Sequence, residues 1–133
     1  MVKQEIMKPP RKVSELIRAV KEDARVIAVF LFGSYARGER AYRDVDVCLV
    51  LGEKLSQLEM SRIRLAYLAR FPDLDIHVFQ QLPIYIRARV LKEGKLVYCS
   101  DEDRMYELAF RVIKEYEDFR PLYEEYLRGV ANG

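Results

Sequence analysis

Tryptophan is absent, histidine occurs once, and only two cysteines, five prolines and six glycines punctuate the 133 residues. Cys48 and Cys99 sit inside apolar runs without C-x-x-C spacing, which excludes a disulfide framework and a zinc knuckle and leaves two buried thiols suited to a reducing cytoplasm. Neither sign of charge dominates: 23 basic against 21 acidic residues give a net charge of +2. Nothing global therefore favours nucleic acid or an anionic membrane, and any basic patch must be local. Long apolar runs are missing too. The longest uninterrupted one, residues 26–32, is far below the roughly 20 residues of a membrane span. Residues 1–11 carry charges but no apolar stretch of the kind a secretion signal needs, so a cytoplasmic, non-exported protein is expected. There is no G-x-x-x-x-G-K-[ST], so a P-loop is not supported. Without internal repeats or a Gly/Ser-rich linker, the chain is expected to form a single domain over 1–133.

What is present is a dense alternation of helix and strand signals. Half of the residues are hydrophobic, enough for a real core, and a third are charged while asparagine and glutamine are scarce, a bias also met in thermophile proteins. Val13, Leu16, Ile17, Val20 and Ala24 recur at three-and-four spacing and predict a helix over 13–24. Residues 26–32 are apolar throughout, which suits a strand covered on both faces. Residues 44–51 alternate, placing Asp44, Asp46, Cys48 and Val50 on one face and Val45, Val47, Leu49 and Leu51 on the other. Ser56 and Glu59 form a capping-box pattern before a helix reaching about residue 70, with Leu58, Ile63, Ala66, Tyr67 and Ala69 as its apolar positions. Residues 74–79 alternate again, with Asp75, His77 and Phe79 sharing a face. A helix from Pro83 to Gly94, a small edge strand over 95–99 and a long helix from about 101 complete the reading, with Pro121 allowing a kink or a break. The core is expected over about 13–99 and a helical extension over about 100–128.

The chemistry concentrates in residues 31–50. Gly33 lets backbone come close to a ligand, and a turn leading into a short helix exposes amide donors that suit a phosphate, with the Ser34 hydroxyl as another. Gly-Ser alone carries little information. Its weight comes from Asp44-Val45-Asp46, nine spacer residues later, because carboxylates about 6.6 Å apart along a strand can share a pair of Mg²⁺ ions. Two such ions clamp the attacking and leaving oxygens of an in-line phosphoryl displacement. Asp75, on a strand able to lie beside 44–51, supplies a third carboxylate that can accept the nucleophile's proton. The competing reading makes Asp44 a turn cap and Asp46 a solvated strand residue; against it, both acids interrupt an otherwise apolar strand, where a buried acid needs a partner. Asp73 follows Pro72 and reads as a turn residue. Arg37, Arg40 and Arg43 can neutralise triphosphate oxygens, Arg37 with the best claim, while the lone His77 reads as a packed or hydrogen-bonded residue rather than a ligand. Ala41, Tyr42 and Arg43 precede Asp44 and the apolar run follows it, the reverse of the haloacid-dehalogenase arrangement.

Taken together, Gly33-Ser34, the spacer and Asp44-Val45-Asp46 resemble the minimal nucleotidyltransferases of the DNA polymerase beta superfamily, and look closest to the MntA-type antitoxins paired with HEPN toxins. FGSYARG over 32–38, LDIHVF over 74–79 and LPIYIRARVLKEGKLVY over 82–98 extend the similarity across about 13–98. The spacer is one residue shorter than usual, and Arg43 stands where a small residue commonly precedes the first aspartate. The resemblance implies an α/β (α+β) fold, a small mixed sheet flanked by helices with a long C-terminal helix. It implies metal binding by Asp44, Asp46 and Asp75, nucleotide binding by Gly33, Ser34 and Arg37, two Mg²⁺ ions, and transfer of AMP from ATP to a tyrosine of a HEPN-type toxin. The alternative is a binding antitoxin that occludes its partner without catalysis, motivated by Phe119, Tyr123 and Tyr126 near the C-terminus. An aminoglycoside-modifying type is disfavoured because those enzymes usually carry a further substrate domain, and a homo-oligomer stays open.

Overall fold

The computed structural model describes residues 10–36 and 45–132. In chain order these form α1 (Arg11–Lys21), β1 (Val26–Phe32), a short helical turn α2 (Gly33–Ala36), β2 (Val45–Leu51) and α3 (Gln57–Arg70). There follow β3 (Leu74–Val78), a 3₁₀ turn over Phe79–Gln81, α4 (Ile84–Glu93), β4 (Lys95–Cys99) and α5 (Glu102–Asn132). The strands make one mixed sheet ordered β3-β2-β1-β4, in which β1 is antiparallel to both neighbours and β2 runs parallel to β3. This is the expected mixed sheet with flanking helices and a long last helix, and β4 takes the expected edge.

Alternation along β2 divides the interior into two layers. Val45, Val47, Leu49 and Leu51 face α1 and α3, joining Val13, Leu16, Val20, Met60, Ile63 and Tyr67. Cys48 and Val50 face the other way and join Phe30, Phe79, Val90, Met105 and Val112 beneath α4 and α5. A register shift between Val26 and Ala28 explains why consecutive residues Ile27 and Ala28 both enter the second layer. With an apolar cover on each side, β1 is buried from Val26 through Leu31, and only Phe32 reaches partial exposure.

Several sequence expectations need correction. Helix α1 ends at Lys21, and Ala24 lies exposed beyond it in the turn built around Asp23. The core face of α3 is Met60, Ile63 and Tyr67: Ile63 and Tyr67 keep the expected side, while Leu58, Ala66 and Ala69 point to solvent and Met60 packs into the layer with Leu74, Ile76 and Val78. Phe79 leaves the strand for a 3₁₀ turn, where the Gln80 amide bonds both backbone groups of Leu51 at 2.6 and 3.2 Å. Cys99 is only half-buried, unlike Cys48. The expected helical extension is kept: α5 runs on through Pro121, whose ring removes one N–H donor but holds a helical φ.

Candidate active site

The edge of the sheet at the end of β1 carries the polar residues that the apolar strands otherwise lack. Phe32 pairs with Asp46 across β1 and β2, and Asp46 pairs with Asp75 across β2 and β3. Three adjacent strands therefore present one row, on the face that α4 and α5 cover further along. Parallel pairing of β2 and β3 aligns the two aspartates without a stagger, and alternation places His77 on the same face one step inward, beside Cys48.

One ligand atom from each of Asp46, Asp75 and His77 lies within 4.8 Å of the other two, the one such group of acidic, histidine or cysteine side chains among the described residues. All three are partly exposed, with side-chain exposures of 44% for Asp75 and 28% for His77. His77 Nε2 stands 3.1 Å from Asp75 Oδ1, and the His77 ring meets Phe32 edge-on at 5.7 Å. Burial pushes the Asp75 carboxyl up, but hydrogen bonding with Asp46 and His77, helped by the charges of His77 and Arg64, holds it below the ordinary carboxylate value. The pair thus favours an ionised Asp75, the form that can bind a cation or take a proton.

Gly33 follows Phe32 directly and adopts φ +76°, a conformation that side chains rarely tolerate. A Cβ there would fall 2.1 Å from Asp46 Oδ2, so glycine is what lets the turn close over the carboxylate. Ser34 follows in the first turn of α2. The sequence-derived set is therefore partly assembled: Gly33, Asp46 and Asp75 converge, while Asp44, Arg37, Arg40 and Arg43 lie outside the described residues. Asp73 is separate, ion-paired with Lys12 at 2.6 Å, as its turn position suggested. His77, read from the sequence as a packed or hydrogen-bonded residue on the Asp75 face, is both: it meets Phe32 and holds Asp75.

A small hollow of about 170 Å³ opens beside Gly33, bounded by Phe32, Ile86, Val90 and the side chains of Arg89 and Glu93 on α4. Two carboxylates of this kind, with a histidine holding one of them, are a donor set that fits a divalent cation coordinated by oxygen. No helix among the described residues is long and apolar enough to cross a membrane.

A protein of Methanocaldococcus jannaschii, provisionally named a protein adenylyltransferase, is 30% identical over 104 residues, covering 77% of this chain and 79% of that one. Among solved structures, a chain from a mutant of the toxin–antitoxin MntA-HpeT superposes with a TM-score of 0.69 at 16% identity, over 90% of this chain and 97% of the other. A chain from the complex of tri-AMPylated Shewanella oneidensis HEPN toxin with MNT antitoxin gives 0.66 at 16% identity, over 90% and 96%. At such identities the superpositions establish the fold. The family described as "Polymerase beta, Nucleotidyltransferase" matches residues 14–103, a span that holds every element from most of α1 to the start of α5, and this chain belongs to it.

Proposed function

We propose that this nucleotidyltransferase moves AMP from ATP to a tyrosine hydroxyl of a HEPN-type partner protein and so acts as an antitoxin. The observation that carries the reading is the row of Asp46 and Asp75 on neighbouring strands with the Gly33 turn closed over Asp46. Support comes from the named activity of the M. jannaschii relative, from the HEPN toxin in the Shewanella oneidensis complex, and from another similar toxin–antitoxin structure, at a TM-score of 0.67, that contains AMP-PNP.

In this reading the triphosphate lies against the turn at Gly33 and Ser34, with Arg37 neutralising its charge. The acceptor oxygen attacks the α-phosphorus, the bond from that phosphorus to the bridging oxygen breaks, and pyrophosphate leaves. The proton of the acceptor passes to the Asp75 carboxylate, which His77 keeps oriented. Asp44, Asp46 and Asp75 would hold two Mg²⁺ ions, which when bound supply charge neutralisation for the triphosphate and the leaving group. Residues 1–133 would act as one nucleotidyltransferase unit with its helical extension over about 100–128, in the cytoplasm where ATP is at hand.

The test is to incubate the protein with Mg²⁺, ATP labelled at the α-phosphate and the product of the adjacent gene. The neighbour should become labelled, and Asp46→Ala should abolish it; equal labelling by wild type and variant would overturn the assignment. A second reading, silencing by occlusion, keeps the exposed Tyr126 but loses Phe119 and Tyr123, which are half-buried in a stack with Tyr85; Leu122 and Val130 of the same helix are exposed as well. Inhibition of the partner with no ATP present would favour it.

A further inference from the structure

The chain holds a single histidine, and the fold sets it beside the two carboxylates. Parallel pairing of β2 and β3 puts His77 opposite Cys48, one alternation inward from Asp46 and Asp75 on the same face. Cys48 is buried in the apolar second layer, whereas the imidazole stays partly exposed with Nε2 turned to Asp75. The Phe32 ring, edge-on at 5.7 Å, braces it from the neighbouring side. A nitrogen donor is therefore held in place among oxygen donors before anything binds.

The spacing suits a shared ion as well as it suits a hydrogen bond. Ligand bonds of about 2.1 Å place neighbouring donor atoms of an octahedral ion about 3.0 Å apart and opposite ones about 4.2 Å apart. His77 Nε2 and Asp75 Oδ1 stand 3.1 Å apart, and one donor atom from each of Asp46, Asp75 and His77 lies within 4.8 Å of the other two. Small side-chain shifts bring all three onto one ion, with the Nε2 lone pair facing it and the ring proton on Nδ1. The kind of donor then decides the kind of ion. Mg²⁺ takes oxygen ligands and gives up its waters reluctantly, so an imidazole adds little to its binding. First-row transition cations bind a mixed nitrogen and oxygen set more tightly, and among them Mn²⁺ shares with Mg²⁺ the preference for carboxylates and octahedral geometry.

We infer that His77 is itself a metal ligand, and that Asp46, Asp75 and His77 together select a first-row transition cation such as Mn²⁺ over Mg²⁺. This rests on the proposed reading, in which the same row holds the cations of the transfer reaction, but ligation can be read without the reaction. The experiment is a titration of the tag-free protein with Mn²⁺, followed by electron paramagnetic resonance. Nucleotide is left out, because it would bring nitrogens of its own. With one histidine in the chain, an imidazole nitrogen in the spin-echo modulation of bound Mn²⁺ can come only from His77. Wild type should show that nitrogen and keep its Mn²⁺ against about a tenfold excess of Mg²⁺. His77→Ala should lose the nitrogen signal and bind Mn²⁺ about tenfold or more weakly, with circular dichroism reporting an intact fold, and Asp46→Ala should lose the bound ion. A histidine that only orients Asp75 gives no nitrogen signal. Bound Mn²⁺ in wild type without that signal, or displaced by Mg²⁺ as readily as from His77→Ala, would overturn the inference and leave the carboxylates as the cation site. No Mn²⁺ binding by wild type would overturn it as well. Nitrogen-ligated Mn²⁺ with no labelling of the partner from ATP would instead count against the transfer chemistry and leave the ligand assignment standing.

Discussion

At the residue scale the site turns on a contact that only glycine allows. Gly33→Ala would set a methyl group 2.1 Å from Asp46 Oδ2 in a backbone conformation already unfavourable for alanine, so either the turn opens or Asp46 moves. We expect a stability loss of about 1–3 kcal/mol in denaturant melts, together with a fall of about a hundredfold or more in AMP transfer, since misplacement of a reacting group by 1 Å has that order of cost. His77→Ala tests a different role. It removes the group 3.1 Å from Asp75 while leaving both aspartates in place, and should lower transfer by about ten- to a hundredfold with little change in melting. The sequence alone made Asp46 and Asp75 conspicuous because a carboxylate in an apolar strand has to be explained. His77 was legible only as a packed or hydrogen-bonded residue on the Asp75 face, because an imidazole is at home in cores and sites alike, and only the folded sheet shows that its partner is Asp75.

At the element scale, strands were more legible than helix ends. The period of two in β2 and β3 leaves one choice of faces, and the structure keeps it: Asp46 and Cys48 lie opposite Val47 and Leu49 in both readings. The apolar face of α3 was legible at Ile63 and Tyr67 but not at its margins, because Ala66, Ala69 and Leu58 match a helical stripe as well as Met60 does, and only packing against β3 separates them. Hidden from any pattern was the cross-link from α3 to the turn after α1. Tyr67 donates its hydroxyl to Asp23 Oδ2 at 2.7 Å, and the Arg25 guanidinium grips the same carboxylate at 2.8 and 2.9 Å. Hydrogen bonding from Arg25, opposed by burial and reinforced by Tyr67, depresses the Asp23 carboxyl to about 2. A depressed carboxyl stabilises the fold above its unfolded value near 3.8, and the contribution is lost as pH falls toward 2. Because the Arg25 side chain is 49% exposed, the whole effect should be about 1 kcal/mol. Tyr67→Phe should cost about 1 kcal/mol at neutral pH, and the gap between wild type and variant in acid unfolding curves should narrow between about pH 4 and pH 2. A gap that stays constant through that window would show that the tyrosine acts by packing alone.

For the molecule as a whole, the sheet needs a cover on each face, and α5 provides its share with only part of its length. Met105 and Val112 are buried over the second layer, with Leu108 and Ala109 packed partly against it. Beyond Tyr123 the same helix leaves Tyr126 66%, Leu127 46% and Val130 63% exposed, so its last turns cover nothing within the described fold. Periodicity predicted a helix here but could not say where its cover of the core ends, since the apolar repeat continues past the point where there is a sheet to meet it. Ending the chain after Glu125 should therefore change the unfolding free energy by no more than about 0.5 kcal/mol, as for surface changes in general. Met105→Ala, which empties a buried position, should cost about 2–5 kcal/mol. Chemical denaturation of the two variants decides the matter: a large loss in the shortened chain would mean that the last turns support the fold. If instead the shortened chain is as stable as wild type and still transfers AMP, yet no longer forms a complex with its partner, the exposed end of α5 is part of the partner surface.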